Sequence, residues 1–228
     1  LYTYNTDLSL TVPVYASTLN VTTDSDAWKL EPSDAEEVGR LAITWLVALF
    51  FSISSFFHLG NGLLWREYYL SRLEACLCPS RWIEYSFSAS VMVLLIAYFS
   101  GTLFLSTLIS LFGLSFVTML FGYASELYNR PSSPTEWEKG SFWSRAEVHF
   151  LGYPGYTLLW VVLFFQFVRS AIEAGDKMPP FVWGVVIGQC FLFSSFILPQ
   201  LYQLRSPPSS YVKGELAFQV LSLGSKAM

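Results

Sequence analysis

The sequence predicts an all-α membrane protein in which six apolar spans follow a short extracellular β-ribbon. Of the 228 residues, 53% are hydrophobic and only 13% are charged, and the mean hydropathy is +0.44. Soluble domains carry about 25% charged residues. Apolar runs of about 20 residues, long enough to cross about 30 Å of hydrocarbon, recur between polar loops. The net charge of −4 gives no indication of a nucleic-acid partner.

The N-terminal segment up to residue 38 predicts a β-hairpin or ribbon, because it is too polar to span a membrane. Leu8–Val12 and Val14–Ala16 alternate apolar and polar residues, which is the pattern of a strand. Residues 24–37 form a predicted acidic linker. Within it, Ser33–Glu36 resembles a capping box and predicts the start of the first helix.

Six predicted spans follow, and Pro, Gly or Arg residues mark their ends. They cover residues 41–64, 81–99, 103–126, 147–168, 180–203 and from 211 onward. The chain begins without a methionine and stops inside an apolar helix. We therefore expect a segment of a longer protein, with residues 1–38 as an extracellular loop and residues 39–228 as the bundle.

The distribution of Lys and Arg predicts the orientation. Eight lie in the loops after the first, third and fifth spans, namely Arg66, Arg72, Arg81, Arg130, Lys139, Arg145, Arg205 and Lys213. Four lie on the opposite side, namely Lys29, Arg40, Arg169 and Lys177. The larger group predicts the cytoplasmic side, so the ribbon is extracellular. The Asn20-Val21-Thr22 triplet, a candidate glycosylation site at Asn20, agrees with this orientation.

Lys226 stands well inside the last apolar segment, where a charged amine costs several kcal/mol unless it has a partner or a chemical task. A Schiff base with an aldehyde cofactor is the task that we favour. The alternative is a lysine that snorkels to the membrane interface. A buried cation needs a counterion, and Glu84 is the only carboxylate placed deep in another predicted span.

Helical spacing groups the polar residues of these spans on common faces. One stripe on the last helix predicts a hydrated surface and a candidate proton path, and it consists of Glu215, Gln219, Ser222 and Lys226. Two further faces carry the pair Ser54 and His58, and the set Glu84, Ser88 and Met92. For each serine alone, a bond to the carbonyl four residues earlier is the alternative.

Three segments resemble the heliorhodopsin family. Arg81–Ala89 is similar to the signature of the third helix in that family. Gly214-Glu215 with Leu221–Lys226 resembles the signature of the seventh helix. Phe121-Gly122, followed by Glu126 and Asn129, is similar to the end of the fourth helix.

The resemblance implies a seven-transmembrane rhodopsin-like bundle, of which helices two to seven are present here and the last is truncated. It implies that Lys226 binds all-trans retinal as a Schiff base, with Glu84 as the counterion and Ser222 one turn before the lysine. Further residues that it implies are Ser54 and His58 of the second helix and Phe191 of the sixth. Family members form homodimers, so we also expect a homodimer.

The expected function is that of a light receptor in which retinal isomerises and passes through a photocycle. It is not an enzyme, and no metal site is predicted. A second hypothesis is light-gated proton conduction along the stripe that leads to Lys226, since some viral members of the family are linked to proton permeation. A membrane hydrolase or an unpigmented receptor is a third hypothesis. Metal-dependent hydrolysis would need more intramembrane ligands than His58 and Glu84.

Overall fold

The computed structural model describes residues 10–24, 27–129 and 140–227. In this part of the chain, long apolar helices form a bundle and four strands form two small ribbons. Leu8 and Ser9 of the predicted hairpin lie outside the described residues, as do Arg130 and Lys139 of the orientation prediction.

Four strands occupy the N-terminal segment. They are β1 (Thr11–Ala16), β2 (Leu19–Asp24), β3 (Ala27–Pro32) and β4 (Glu36–Ala42). β1 pairs antiparallel with β4, and β2 pairs antiparallel with β3. The predicted β-ribbon in the N-terminal segment is confirmed, and Val12 and Val14 lie in one strand, β1, with both side chains buried.

The predicted helix start at Ser33–Glu36 is wrong. The hydroxyl of Ser33 accepts a hydrogen bond from the backbone of Thr18 at 2.9 Å, and residues 36–42 continue as β4. Ser33 therefore lies at the end of the ribbon formed by β2 and β3 and does not cap a helix. Pairing with β1 satisfies the backbone of this segment, and α1 begins only at Ile43.

The first four helices follow in sequence. They are α1 (Ile43–Leu59), which continues as a π-turn at Gly60–Leu64, α2 (Arg66–Glu74), α3 (Pro79–Phe99) and α4 (Leu105–Tyr128). The long helices agree with the predicted spans to within two residues at each end. α2 is a short, polar surface helix that the sequence pattern did not predict.

Proline residues break the next two predicted spans. The span expected at 147–168 is divided into α5 (Phe142–Phe150) and α6 (Tyr153–Ala174). Pro154 has no N–H to bond the carbonyl of Phe150, so one helix cannot run through this point.

Pro199 has the same effect on the following span, because it cannot bond the carbonyl of Ser195. α7 (Pro180–Ser195) ends there, and α8 (Ile197–Arg205) continues the span after a bend. The last helix is α9 (Tyr211–Ala227).

Five helical segments of the described chain are long and apolar enough to cross a membrane. They are Ile43–Leu64, Pro79–Phe99, Leu105–Tyr128, Tyr153–Lys177 and Pro180–Arg205. α9, the sixth predicted span, has 17 residues and is shorter than these five.

The apolar core lies between α3, α4, α6 and α7. Fully buried side chains meet there, among them Val93, Leu111, Leu163, Phe167 and Val186. Val14 of β1 joins this core, and the backbone N–H of Tyr15 donates to the carbonyl of Leu103 at 2.9 Å. The ribbon is thereby attached to the bundle at the connection between α3 and α4.

Candidate functional site

Lys226 of α9 and Glu84 of α3 meet inside the bundle. The distance from Lys226 Nζ to Glu84 Oε1 is 2.5 Å, and both side chains are largely buried. The amine also lies 5.8 Å from the ring centre of Tyr85 and 6.0 Å from that of Phe50. Two aromatic faces and one carboxylate therefore surround the amine, which is an environment that favours a cation.

The depth of the pair follows from side-chain direction. Glu84 is near the start of α3, whereas Lys226 is near the end of α9. Side chains on a helix point back toward its N-terminus, and a lysine is long. The Lys226 amine therefore lies closer to the N-terminal end of α9 than its own Cα atom does, at the same depth in the bundle as Glu84.

A cavity of about 860 Å³ opens beside this pair. Its lining includes four residues of the predicted site, which are Lys226, Ser222, Ser88 and Met92. Most of the other lining residues are aromatic or small, among them Phe50, Trp82, Tyr85, Gly122, Tyr156, Phe193, Phe196 and Phe218. The cavity is thus apolar, with one amine in its wall.

Aromatic side chains from three helices pack edge to face along one wall of the cavity. Trp82 and Tyr85 of α3 both contact Phe218 of α9, and Tyr85 also contacts Phe196 at the bend after α7. The hydroxyl of Tyr85 donates to the backbone carbonyl of Phe218 at 3.3 Å. This packing holds α3, α9 and the bend in a fixed arrangement around the amine.

Four of the residues predicted around retinal are not part of the cavity lining, namely Glu84, which contacts Lys226, and Phe191, Ser54 and His58. Phe191 is 73% exposed on the outside of α7, and Phe193 and Phe196 line the cavity in its place. The prediction for Phe191 is therefore wrong. Ser54 is buried on the inner face of α1, but His58, one turn later, is exposed. Their joint role as a transient proton store stays a prediction.

A second cluster of charges, which we call the clamp, consists of Arg81, Glu126 and Glu215. Arg81 of α3 bonds Glu126 of α4 with one guanidinium nitrogen and Glu215 of α9 with another. All three side chains are buried. The guanidinium also lies 3.8 Å from the ring centre of Phe218. One arginine thus connects three helices.

Neutral donors add further hydrogen bonds to the two carboxylates of the clamp. Tyr211 donates to Glu126 at 3.0 Å, as does the backbone N–H of Cys78. Gln219 donates to Glu215 at 3.2 Å, so both predicted residues of the proton path belong to this network. Burial, and then the nearby Glu215, raise the pKa of the Cys78 thiol well above its usual range. The protonated thiol donates to Glu215 at 3.4 Å.

Polar residues that sequence reasoning missed also line the cavity. Tyr153 hydrogen-bonds His149 at 3.1 Å, and Tyr156 hydrogen-bonds Ser194 at 2.7 Å. Burial lowers the pKa of His149 to about 4, so its imidazole is neutral near pH 7. The spacing of Tyr153 and Tyr156 on one helix face was the available signal.

The comparison with protein families identifies the chain. The heliorhodopsin family model matches residues 3–228. The chain therefore belongs to the heliorhodopsin family, whose members are retinal-binding, light-sensing pigments of the membrane. No curated protein matches the chain.

Proposed function

We propose that this chain is a light receptor in which all-trans retinal forms a protonated Schiff base with Lys226 and Glu84 is the counterion. The observation that carries the proposal is the buried contact between Lys226 and Glu84 at the wall of an aromatic cavity. A lysine without a task would be costly at this depth. A Schiff base uses the amine covalently and keeps its charge.

The cavity fits a long, apolar aldehyde. Its lining is mainly aromatic, as in other sites that bind apolar ligands. Gly122 lets the ring of Trp82 pack closely against α4, since a Cβ atom there would lie 2.1 Å from that ring. Lys226 supplies the amine that an aldehyde needs, and the Ser222 hydroxyl lies on the same wall.

Bound retinal would supply absorption of visible light and a double bond that isomerises. The chain supplies the charge environment of the linkage. Glu84 stabilises a positive charge on the nitrogen of Lys226, and the rings of Tyr85 and Phe50 add to this attraction. The packed aromatic wall keeps bulk water away from the ion pair, which strengthens it.

The proposed topology is a seven-helix bundle with residues 1–38 on the extracellular side. The five long apolar helices and the smaller α9 support it. Asn20 is exposed on β2, so an extracellular ribbon would allow its glycosylation. Exposed apolar residues cover α1, and these would face lipid or a second copy of the chain in a homodimer.

Replacement of Lys226 tests the proposal. The wild-type protein expressed with all-trans retinal is expected to absorb visible light, and Lys226→Ala is expected to be colourless. Lys213→Ala is the matched control, because Lys213 is an exposed lysine on the same helix. A colourless wild type, or a pigment that survives Lys226→Ala, would contradict the proposal.

Light-gated proton conduction is the alternative function. The polar stripe of α9 supports it, because Glu215, Gln219 and Ser222 lead along one face from the clamp to Lys226. Because Arg81 binds Glu215 in this structure, conduction along the stripe would require that ion pair to open after illumination. Voltage-clamp recording under illumination is the test. No light-dependent current at any voltage or pH gradient would reject conduction and leave the receptor proposal intact.

A further inference from the structure

Gln200 of α8 has an unusual position in the bundle. Its side chain is 1% exposed and lines the chromophore cavity, the cavity beside Lys226. Neither its amide nitrogen nor its amide oxygen makes a hydrogen bond to any described residue. A buried amide without partners costs about 1–3 kcal/mol, so this side chain needs a polar ligand.

The same residue also lines a second, smaller cavity. Polar residues in that lining include Glu126 of the clamp, its hydrogen-bond partner Tyr211, Asn129 and Gln203. The amide oxygen of Gln203 likewise has no partner among the described residues. Ser206 and the exposed Pro207 lie at the outer end of this cavity.

Water is the ligand that fits both observations. Buried polar groups that lack a protein partner bind water where a cavity beside them can hold it, and each such water makes about three hydrogen bonds. Gln200 offers a donor and an acceptor between the two cavities, and Gln203 offers an acceptor further out.

We propose that Gln200 and the second cavity hold a water chain that connects the chromophore cavity with solvent at the end of the bundle where α3 and α9 begin. The inference rests on the proposed function, because the group whose proton it serves is the Schiff base of Lys226. The route passes beside the clamp and leaves the bond between Arg81 and Glu215 intact. It therefore differs from the path along the stripe of α9.

Exchange of the Schiff-base proton tests this route. The pigment formed with all-trans retinal is mixed with D₂O in the dark, and resonance Raman spectra follow the deuterium shift of the C=N stretch. Gln200→Leu is expected to slow the exchange by about fivefold, the factor that corresponds to one hydrogen bond of about 1 kcal/mol. Gln200→Glu, which keeps a polar group between the cavities, is expected to exchange at nearly the wild-type rate.

Two further variants complete the experiment. Gln203→Leu removes a polar group from the second cavity alone and should also slow the exchange. Gln166→Leu is the matched control, because Gln166 is a half-buried glutamine of α6 that lines neither cavity. It should exchange at the wild-type rate.

The outcomes separate the two proposals. If the wild type forms no pigment, the proposed function fails. If the wild type forms a pigment but Gln200→Leu and Gln203→Leu exchange as fast as the wild type, the water chain alone is contradicted. Equal slowing in Gln166→Leu would also contradict it, because the effect would then be a general response to loss of a glutamine amide inside a span. Should Gln200→Leu form no pigment, Gln203→Leu decides.

Discussion

The two buried ion sites in the described part of the chain join the same helices, α3 and α9, but they are built differently. At the chromophore site, Lys226 meets the single carboxylate of Glu84 among aromatic rings. In the clamp, Arg81 lies between two carboxylates, and neutral donors bind those carboxylates as well. The first site balances one charge with one, whereas the second holds an excess of acceptors around a cation that cannot lose its proton.

The difference indicates that the two sites have different roles, one reactive and one structural. A lysine can form a covalent bond and exchange its proton, so a site with one simple partner suits a group whose charge changes. An arginine keeps its charge and presents several donors in a fixed plane, which suits a structural junction. The clamp fixes the ends of three helices, and the chromophore site is free to change between them.

The largest expected effect is a loss of stability when the clamp loses its arginine. Arg81→Met leaves Glu126 and Glu215 buried without a cation and should lower the free energy of unfolding by about 3–5 kcal/mol. Thermal unfolding of the pigment in detergent measures this loss. Arg66→Met, on the exposed surface of α2, is the control and should change the stability by less than about 0.5 kcal/mol. If Arg81→Met loses no more stability than the control, the clamp does not stabilise the fold and the proposed difference between the two sites is contradicted.

A colour change is expected at the other site. Glu84→Gln removes the negative charge beside the Schiff base, which at about 4 Å and an intermediate dielectric contributes about 4 kcal/mol of attraction. The ground state loses more of this attraction than the delocalised excited state, so the absorption should shift to the red. Absorption spectra of Glu84→Gln and Glu215→Gln make the comparison, because only the first carboxylate contacts Lys226. An unchanged spectrum in Glu84→Gln would remove it from the role of counterion.

An effect of pH is expected at His149, which lies outside both ion sites. Its pKa is about 4 in the folded chain against 6.5 for the free group, because burial disfavours the charged form. The unfolded chain therefore binds a proton at a higher pH than the folded chain. Stability is complete above pH 6.5 and falls by at most about 3 kcal/mol as the pH drops toward 4.

Chemical unfolding at several pH values measures this loss. His149→Gln should reduce it, whereas His58→Gln, at an exposed position of α1, should leave it in place. The same acid loss in His149→Gln as in the wild type would show that other groups cause it.

The smallest expected effect concerns Trp82, which touches both sites. Its ring lies beside the guanidinium of Arg81 and lines the chromophore cavity. Gly122→Ala would place a Cβ atom 2.1 Å from this ring and should cost about 1–3 kcal/mol through overpacking. Gly113→Ala is the matched control on the same helix, because nothing lies within 4 Å of its Cβ position. Equal retinal uptake and stability in the two variants would show that Trp82 can move at little cost.

The sequence was informative about the chromophore site because charges are rare inside the spans. Lys226 and Glu84 could be paired by elimination, and α9 spacing predicted that Ser222 shares the face of the lysine. The clamp could not be predicted in this way. Arg81 stands at the start of a span, where arginines commonly reach to the membrane surface, so it was counted as a loop residue. Only the packing of α3 against α4 and α9 turns it inward.

Two other predictions failed for different reasons. Phe191 lies among several aromatic residues of α7, so the sequence does not indicate which of them line the cavity. Glu36–Ala42 looked like a linker and a helix start because its partner, β1, lies about 25 residues earlier in the chain. Such distant pairing leaves no trace in local propensity.

The most direct measurement locates the covalent link to retinal. The pigment formed with all-trans retinal is reduced with borohydride, which makes the linkage permanent, and is then digested and mapped by mass spectrometry. The account predicts a retinyl group on the peptide that contains Lys226 and on no other lysine peptide. A retinyl group on Lys213 or another lysine, or no retinyl peptide from a coloured sample, would contradict it.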